Sequence, residues 1–169
     1  MASPSPDRGP VGGRIAGLTV RTATADDAAA LVDLMEAGAI GPPADVPDDL
    51  TPYRAALEEI ASTPGTEVLV AEIDGAVVGM CQLITFRHVQ HGGGRCAEIE
   101  SMHVTPACRG AGIGGVLLDA AVDAARAAGC YRVQLTSNVV RTDAHRFYER
   151  HGFEPSHVGF KRPCIDTGS

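Results

Sequence analysis

Apolar and polar residues alternate through Leu18, Val20 and Thr22, the period-2 signature of a short strand, and the period changes immediately afterwards. Thr24 offers an N-cap to Ala25-Asp26-Asp27, whose carboxylates suit a helix N-terminus, and apolar residues continue through Leu34 and Met35 to Gly38. A strand followed by a helix is therefore predicted. Thr51-Pro52, followed by Ala55, Leu57 and Ile60, predicts a second helix with proline in its first turn. Between the two helices, residues 41–47 are Pro-rich and read as a loop, either plain surface or part of a binding-site wall.

Val68 to Ile73 and Ala76 to Phe86 flank Asp74-Gly75, a dipeptide suited to a type I′ turn, and predict a β-hairpin. A polar glycine-rich link, His91 to Gly94, leads to a third strand over Cys96 to Val104. Pro106 prevents its simple continuation. A glycine-rich turn then opens an Ala- and Leu-rich helix from about Ile113 to Ala128, closed by Gly129. Tyr131 to Thr136 reads as another strand, Thr142 to Arg150 as a helix ended by Gly152, and Phe153 onward as a final strand pair. Residues 1–14 carry Pro4, Pro6 and Pro10 with little to bury and are expected to be a flexible tail before one domain spanning 15–169. The order implies an α/β (α+β) architecture, a mixed sheet with helices on both faces.

Composition sharpens this only slightly. The chain of 169 residues is 44% hydrophobic but 4% aromatic, so the core must rely on Val, Leu, Ile and Ala. A net charge of -7 argues against a nucleic-acid partner, which needs a concentrated basic surface. Five scattered cysteines without a CxxC pair cannot close an intramolecular disulfide set and suit reduced thiols. No apolar run reaches membrane-spanning length and the first 14 residues have no signal-peptide core, so a cytoplasmic protein without a membrane partner is expected.

The sharpest constellation is Arg109-Gly110-Ala111-Gly112-Ile113-Gly114, between a strand and a helix. Glycines there let the backbone approach a ligand, and successive N–H groups with a helix N-terminus suit a phosphate or pyrophosphate; a turn that merely tightens packing is the bland reading. Gly110, Gly112 and Gly115 also spell a dinucleotide fingerprint, but Pro106 separates them from the strand and Leu135-Thr136-Ser137-Asn138 lacks the ribose-binding acid. A P-loop fails because Val116-Leu117 replaces Lys and Ser or Thr.

The turn resembles the acetyl-CoA signature of the GNAT superfamily: Arg or Gln, two residues, Gly, one residue, then Gly or Ala. Arg109, Gly112 and Gly114 occupy those positions. Val104-Thr105-Pro106 before it, and Ile113 with Leu117-Leu118 after it, are similar to the family's strand-loop-helix. A second block, Asn138 and then Ala144 to Phe153, resembles the family's other hallmark. The resemblance runs from Gly17 to Arg162, strongest over Glu98 to Phe153. It implies a GNAT-like, mostly antiparallel mixed sheet of about 6–7 strands with about 4 helices on both faces. It also implies that the strand ending at Val104 splays from the strand beginning at Tyr131, with the pantetheine arm of acetyl-CoA in the gap. Backbone groups of Met102, His103 and Val104 would bind that arm, and amides of Arg109, Gly110, Ala111, Gly112, Ile113 and Gly114 would take the pyrophosphate. Asn138 would bond the arm or fix the following loop.

The activity so implied is N-acetyl transfer, with a small-molecule amine, or a peptide or protein amine, as acceptor. A homodimer is compatible with the resemblance, though no residue marks one. An alkyl ammonium with a pKa of about 10.4 must lose a proton before its nitrogen attacks a thioester. Glu98 and Glu100 alternate on one strand face, Glu98 lying 11 residues before Arg109, and either is a candidate base, directly or through water. A substrate-binding role or a solvated face is the alternative for both. Tyr148 matches the family's tyrosine acid, and core packing is its alternative. His145 and His151 are six apart and poorly phased, while His88 and His91 lack a third ligand, so no metal site is expected. The competing class is a non-catalytic acyl-CoA-binding sensor; retention of Glu98, Glu100 and Tyr148 favours the enzyme.

Overall fold

The computed structural model describes residues 15–40 and 48–164. The tail at 1–14 and the loop at 41–47 lie outside the described residues, as do residues 165–169. The first strand is β1 (Leu18–Thr22), followed by a short 3-10 turn (Ala25–Asp27) and α1 (Ala28–Ala37). Asp27 is buried and closes that turn by accepting the Thr24 N–H at 2.7 Å, while its two oxygens meet Arg21 at 2.8 Å each. Of the predicted N-terminal acids, Asp27 thus braces β1 against the helix start. Next come α2 (Thr51–Ser62), β2 (Thr66–Ile73) and β3 (Ala76–Arg87). Asp74 and Gly75 have φ of 50° and 83°, the paired positive values of a type I′ turn, so the Asp-Gly hairpin forms as the dipeptide predicts.

A single turn, α3 (Gln90–Gly93), with His91 and Gly92 in the left-handed region, links β3 to β4 (Arg95–Val104). Then follow α4 (Ile113–Ala127), β5 (Cys130–Leu135) and α5 (Thr142–Arg150). The strands form one sheet in the order β1-β2-β3-β4-β5, antiparallel except for the parallel pair β4 and β5. Ile113, Leu117, Leu118, Ala121 and Ala125 recur on one stripe of α4 and pack on Leu69, Ala71, Leu83, Ala97 and Ile99. The opposite face of β2 and β3, with Val68, Val70 and Met80, is covered by Leu31 and Leu34 of α1 and Leu57 of α2. Each large side chain withdrawn from water in this way contributes about 1.5–3 kcal/mol.

Among the described residues the sheet has five strands rather than about 6–7. The expected strand pair from Phe153 onward does not form among the described residues, although Phe153 itself packs on Tyr148 with ring centroids 5.9 Å apart. Pro155 lacks the N–H a ladder needs, the backbone bond formed there is the local Ser156 N–H to the Glu154 carbonyl, and Val158 and Phe160 remain exposed. β5 is consequently the edge of the described sheet. Among the described residues there are five α-helices when the single turn α3 is included.

Candidate active site

The site is organised by the parting of β4 from β5. Their parallel pairing runs from Arg95–Cys130 to Ile99–Leu135 and then stops, while β4 continues to Val104 along β3. A bulge marks the departure: Gln82 pairs with Glu100 and Met80 with His103, so three steps on β4 oppose two on β3. Ser101 carries the irregularity with φ of 51°, a strained value for a residue with a side chain. Met102, His103 and Val104 therefore run along the opening without a β5 partner.

Beside that edge lies a cavity of about 440 Å³, lined by Met102, His103, Val104, Arg109, Arg141 and the end of α1 among others. Arg109 donates to the Val104 carbonyl at 3.1 Å and to the Ala37 carbonyl at 3.3 Å, and Arg141 donates to the Gly38 carbonyl. Two guanidinium groups thus meet the carbonyl end of α1, where positive charge is favoured. His103 sits against Gly38, and burial, followed by the positive fields of Arg141 and Arg109, holds its imidazole below its ordinary pKa.

The glycine turn leaves β4 through a 3-10 turn (Pro106–Cys108) and enters α4 at Gly112. Gly110 and Gly112 have φ of 81° and 85°, and a Cβ on Gly110 would meet nothing within 4 Å. Backbone conformation, not crowding by the protein, requires glycine there. Ala111 donates weakly back to the Cys108 carbonyl at 3.4 Å, whereas the amides of Gly112, Ile113 and Gly114 open the helix without an intrahelical acceptor. Adjacent amides at a positive helix end fit an anionic group.

Glu98 and Glu100 lie on the sheet face opposite α4, since the intervening Ala97 and Ile99 belong to the α4 core. Glu98 Oε2 accepts a 3.2 Å hydrogen bond from Gln134 Nε2. Tyr148 enters from α5, packed edge-on to Phe147 at 5.2 Å. Burial pushes its phenol above the ordinary value; Arg141 opposes the shift, and Cys81 and Glu100 add to it. Asn138 Oδ1 accepts the Val140 N–H at 3.1 Å and its carbonyl accepts the Arg141 N–H at 3.0 Å, fixing the turn before α5.

Sequence reasoning missed Arg141, which carries no motif, and the residues that surround Glu98 on the same face. Cys96 Sγ lies 3.6 Å from Gln134 Oε1 and accepts from Arg132 Nε at 3.4 Å. No local signal joins residues on β4 to others more than thirty positions away. No group of three or more His, Cys, Asp or Glu residues that could hold a metal occurs among the described residues, and no described helix is long and apolar enough to cross a membrane.

Comparison with known proteins agrees with this arrangement. The model of the acetyltransferase (GNAT) family matches residues 31–153, which include β4, the glycine turn, α4 and α5. The chain belongs to the GNAT acetyltransferase family. The aminoalkylphosphonate N-acetyltransferase of Salmonella typhimurium is 39% identical over 99 residues, covering 59% of this chain and 64% of the relative. Glucosamine 6-phosphate N-acetyltransferase of Trypanosoma brucei brucei is 34% identical over 88 residues, 52% of this chain and 58% of that protein. The matches therefore span less than two thirds of either relative's length. Among solved structures, a Bacillus halodurans protein named as a transcriptional regulator superposes with a TM-score of 0.78 at 34% identity, covering 86% of this chain and 99% of that one. This GNAT member thus has the family's fold, with its strands parted beside the glycine turn.

Proposed function

We propose that this GNAT protein transfers the acetyl group of acetyl-CoA to a primary amine of a small molecule. The observation that carries the reading is the opening between β4 and β5 beside the amide-rich turn at Gly112. Met102, His103 and Val104 supply backbone groups for the pantetheine arm, Arg109 to Gly114 supply amides for the pyrophosphate, and Asn138 fixes the turn before α5. Acetyl-CoA supplies an activated acetyl thioester.

Glu100 accepts the proton of the substrate ammonium, directly or through a water, because it lies just beyond the last β4–β5 pair, nearer the opening than Glu98. Glu98, held by Gln134, receives the ammonium and orients it. The amine nitrogen then forms its bond to the acetyl carbon as the carbon–sulfur bond breaks. Tyr148 gives its phenolic proton to the departing sulfur, and the extra proton left on the acylated nitrogen passes to the resulting phenolate, which restores the acid. The named activities of the relatives from Salmonella and Trypanosoma share an acceptor that joins an amine to a phosphonate or phosphate, so such amines are the first to test.

Calorimetry of acetyl-CoA binding, followed by thiol release with added amines, tests the proposal. Ala111→Glu puts a negative charge on an exposed residue of the turn without the backbone strain that any side chain at Gly112 brings. Binding by the wild type, weakened at least roughly tenfold in this variant, is expected. A folded wild type that does not bind acetyl-CoA refutes the reading. Binding with no thiol release from any amine favours an acyl-CoA sensor instead, a reading in keeping with the name of the Bacillus neighbour.

A further inference from the structure

Three side chains beyond the catalytic candidates are aligned on the face of the sheet that carries Glu98 and Glu100. Arg132 pairs across β4 with Cys96, and Gln134 with Glu98. The Arg132 Nε donates to Cys96 Sγ at 3.4 Å, and Cys96 is fully buried. On its other side the guanidinium lies 5.5 Å from the centroid of the Tyr131 ring. That ring is itself held, with its centroid 4.6 Å from the imidazole of His91 and its edge against Gly94. Arg132 is therefore oriented by a thiol and an aromatic ring, and its terminal nitrogens have no carboxylate partner among the described residues.

The guanidinium of Arg132 is exposed, oriented and free of a carboxylate partner among the described residues. A planar pair of N–H groups matches two oxygens of a phosphonate, phosphate or carboxylate. The Cys96–Arg132 row stands two residues from Glu98 and four from Glu100 along β4, or about 7 Å and 13 Å at roughly 3.3 Å per residue. α1 packs on β3 and β4 and α2 on β2, whereas the helix packed on β5 is α4, on the opposite face.

We propose that Arg132 is the specificity-determining residue of the acceptor site, binding an oxyanion carried by the same small molecule whose amine meets Glu98 and Glu100. The acceptor class is then a short amine with a phosphonate or phosphate at its other end, seated between a cation on β5 and carboxylates on β4. Gln134 lies between the two ends and bridges them through its contacts with Cys96 and Glu98. This assignment rests on the acetyl-transfer reading above.

The test compares kcat/KM for 2-aminoethylphosphonate, 3-aminopropylphosphonate and phosphoethanolamine with that for ethanolamine and propylamine. The full chain, Arg132→Gln and Arg132→Lys are assayed by thiol release. The wild type is expected to prefer an anionic amine over its uncharged counterpart by roughly tenfold or more, since hydrogen bonds to charged groups are among the stronger ones. Arg132→Gln is expected to bring that ratio close to one, chiefly by raising KM for the anionic amine, with Arg132→Lys in between. A wild type that prefers uncharged amines, or a preference that survives in Arg132→Gln, overturns the proposal while acetyl transfer stands. A wild type that binds acetyl-CoA but uses none of these amines also overturns it. Absence of acetyl-CoA binding, measured separately, marks failure of the underlying reading instead.

Discussion

Gln134 Nε2 donates to Glu98 Oε2 at 3.2 Å, one pairing before β4 and β5 separate. The contact holds one candidate carboxylate in place, while Glu100, two residues nearer the opening, has no recorded side-chain partner among the described residues. The two acids on one face are therefore unequal. A held carboxylate suits binding of a cation, and an unheld one beside the opening suits proton transfer.

Glu100→Gln should accordingly lower kcat by about two orders of magnitude, the usual scale for losing a general base. Glu98→Gln should act mainly on KM for the amine. Steady-state kinetics with the preferred acceptor separates the two. The reverse pattern would make Glu98 the base and Glu100 the docking group.

Tyr148 gives a prediction in pH. Its phenol must be protonated to act as an acid, and burial holds its pKa above the ordinary value of about 10. Loss of activity through its ionisation should begin above that pH, leaving the profile between pH 7 and 9 to other groups. Tyr148→Phe should lower kcat about 100-fold and remove the alkaline limb. Its packing on Phe147 and Phe153 should persist, keeping stability within about 1 kcal/mol of the parent.

The parts of this fold visible in the sequence are those fixed by neighbours. Asp74-Gly75 supplies two residues tolerant of positive φ where the hairpin requires them, and the apolar stripe of α4 follows from Ile113, Leu117 and Leu118. The span of α5 is also as predicted. Long-range register was not legible. Ser101 interrupts no alternation of residue types, yet its positive φ forms the bulge. The Arg132–Cys96–Gln134–Glu98 row exists only because β5 joins β4 in one particular parallel register. The strand pair expected from Phe153 onward does not form among the described residues, where the side chains of Val158 and Phe160 find no layer to cover them.

Asp27 predicts the acid limb of stability. Its carboxyl is lowered from 3.8 to about 2, first by its hydrogen bonds from Arg21, with burial opposing, and then by Thr24. A group whose folded pKa is depressed contributes stability above its unfolded pKa and loses it as pH falls through the folded one. About 2 kcal/mol should therefore be present at pH 5 and above and be lost progressively toward pH 2. Urea unfolding of the wild type and Asp27→Asn at pH 7, 4 and 2.5 checks this. The difference between the two should be about 2–3 kcal/mol at pH 7 and shrink toward pH 2.5. A constant difference would mean that packing, not charge, makes Asp27 important.

Gly112 and Gly114 stand two residues apart in the turn but need glycine to different degrees. At Gly112 the φ of 85° strains any L-residue, although the nearest atom to an added Cβ is Ile15 Cδ1 at 3.8 Å. Gly114 lies inside α4 with ordinary helical backbone, and its added Cβ would touch Phe147 Cζ at 3.4 Å, an acceptable contact. Gly112→Ala should therefore cost about 1–2 kcal/mol in backbone strain, and its shifted amides should weaken acetyl-CoA binding. Gly114→Ala should instead gain up to about 1 kcal/mol from the better helix former. Thermal unfolding with and without acetyl-CoA measures both effects. Because ligand stabilisation follows affinity by mass action, the shift produced by acetyl-CoA should shrink in Gly112→Ala much more than in Gly114→Ala. Equal losses in the two variants would mean that crowding along the helix start, rather than the left-handed turn at Gly112, controls the anion site.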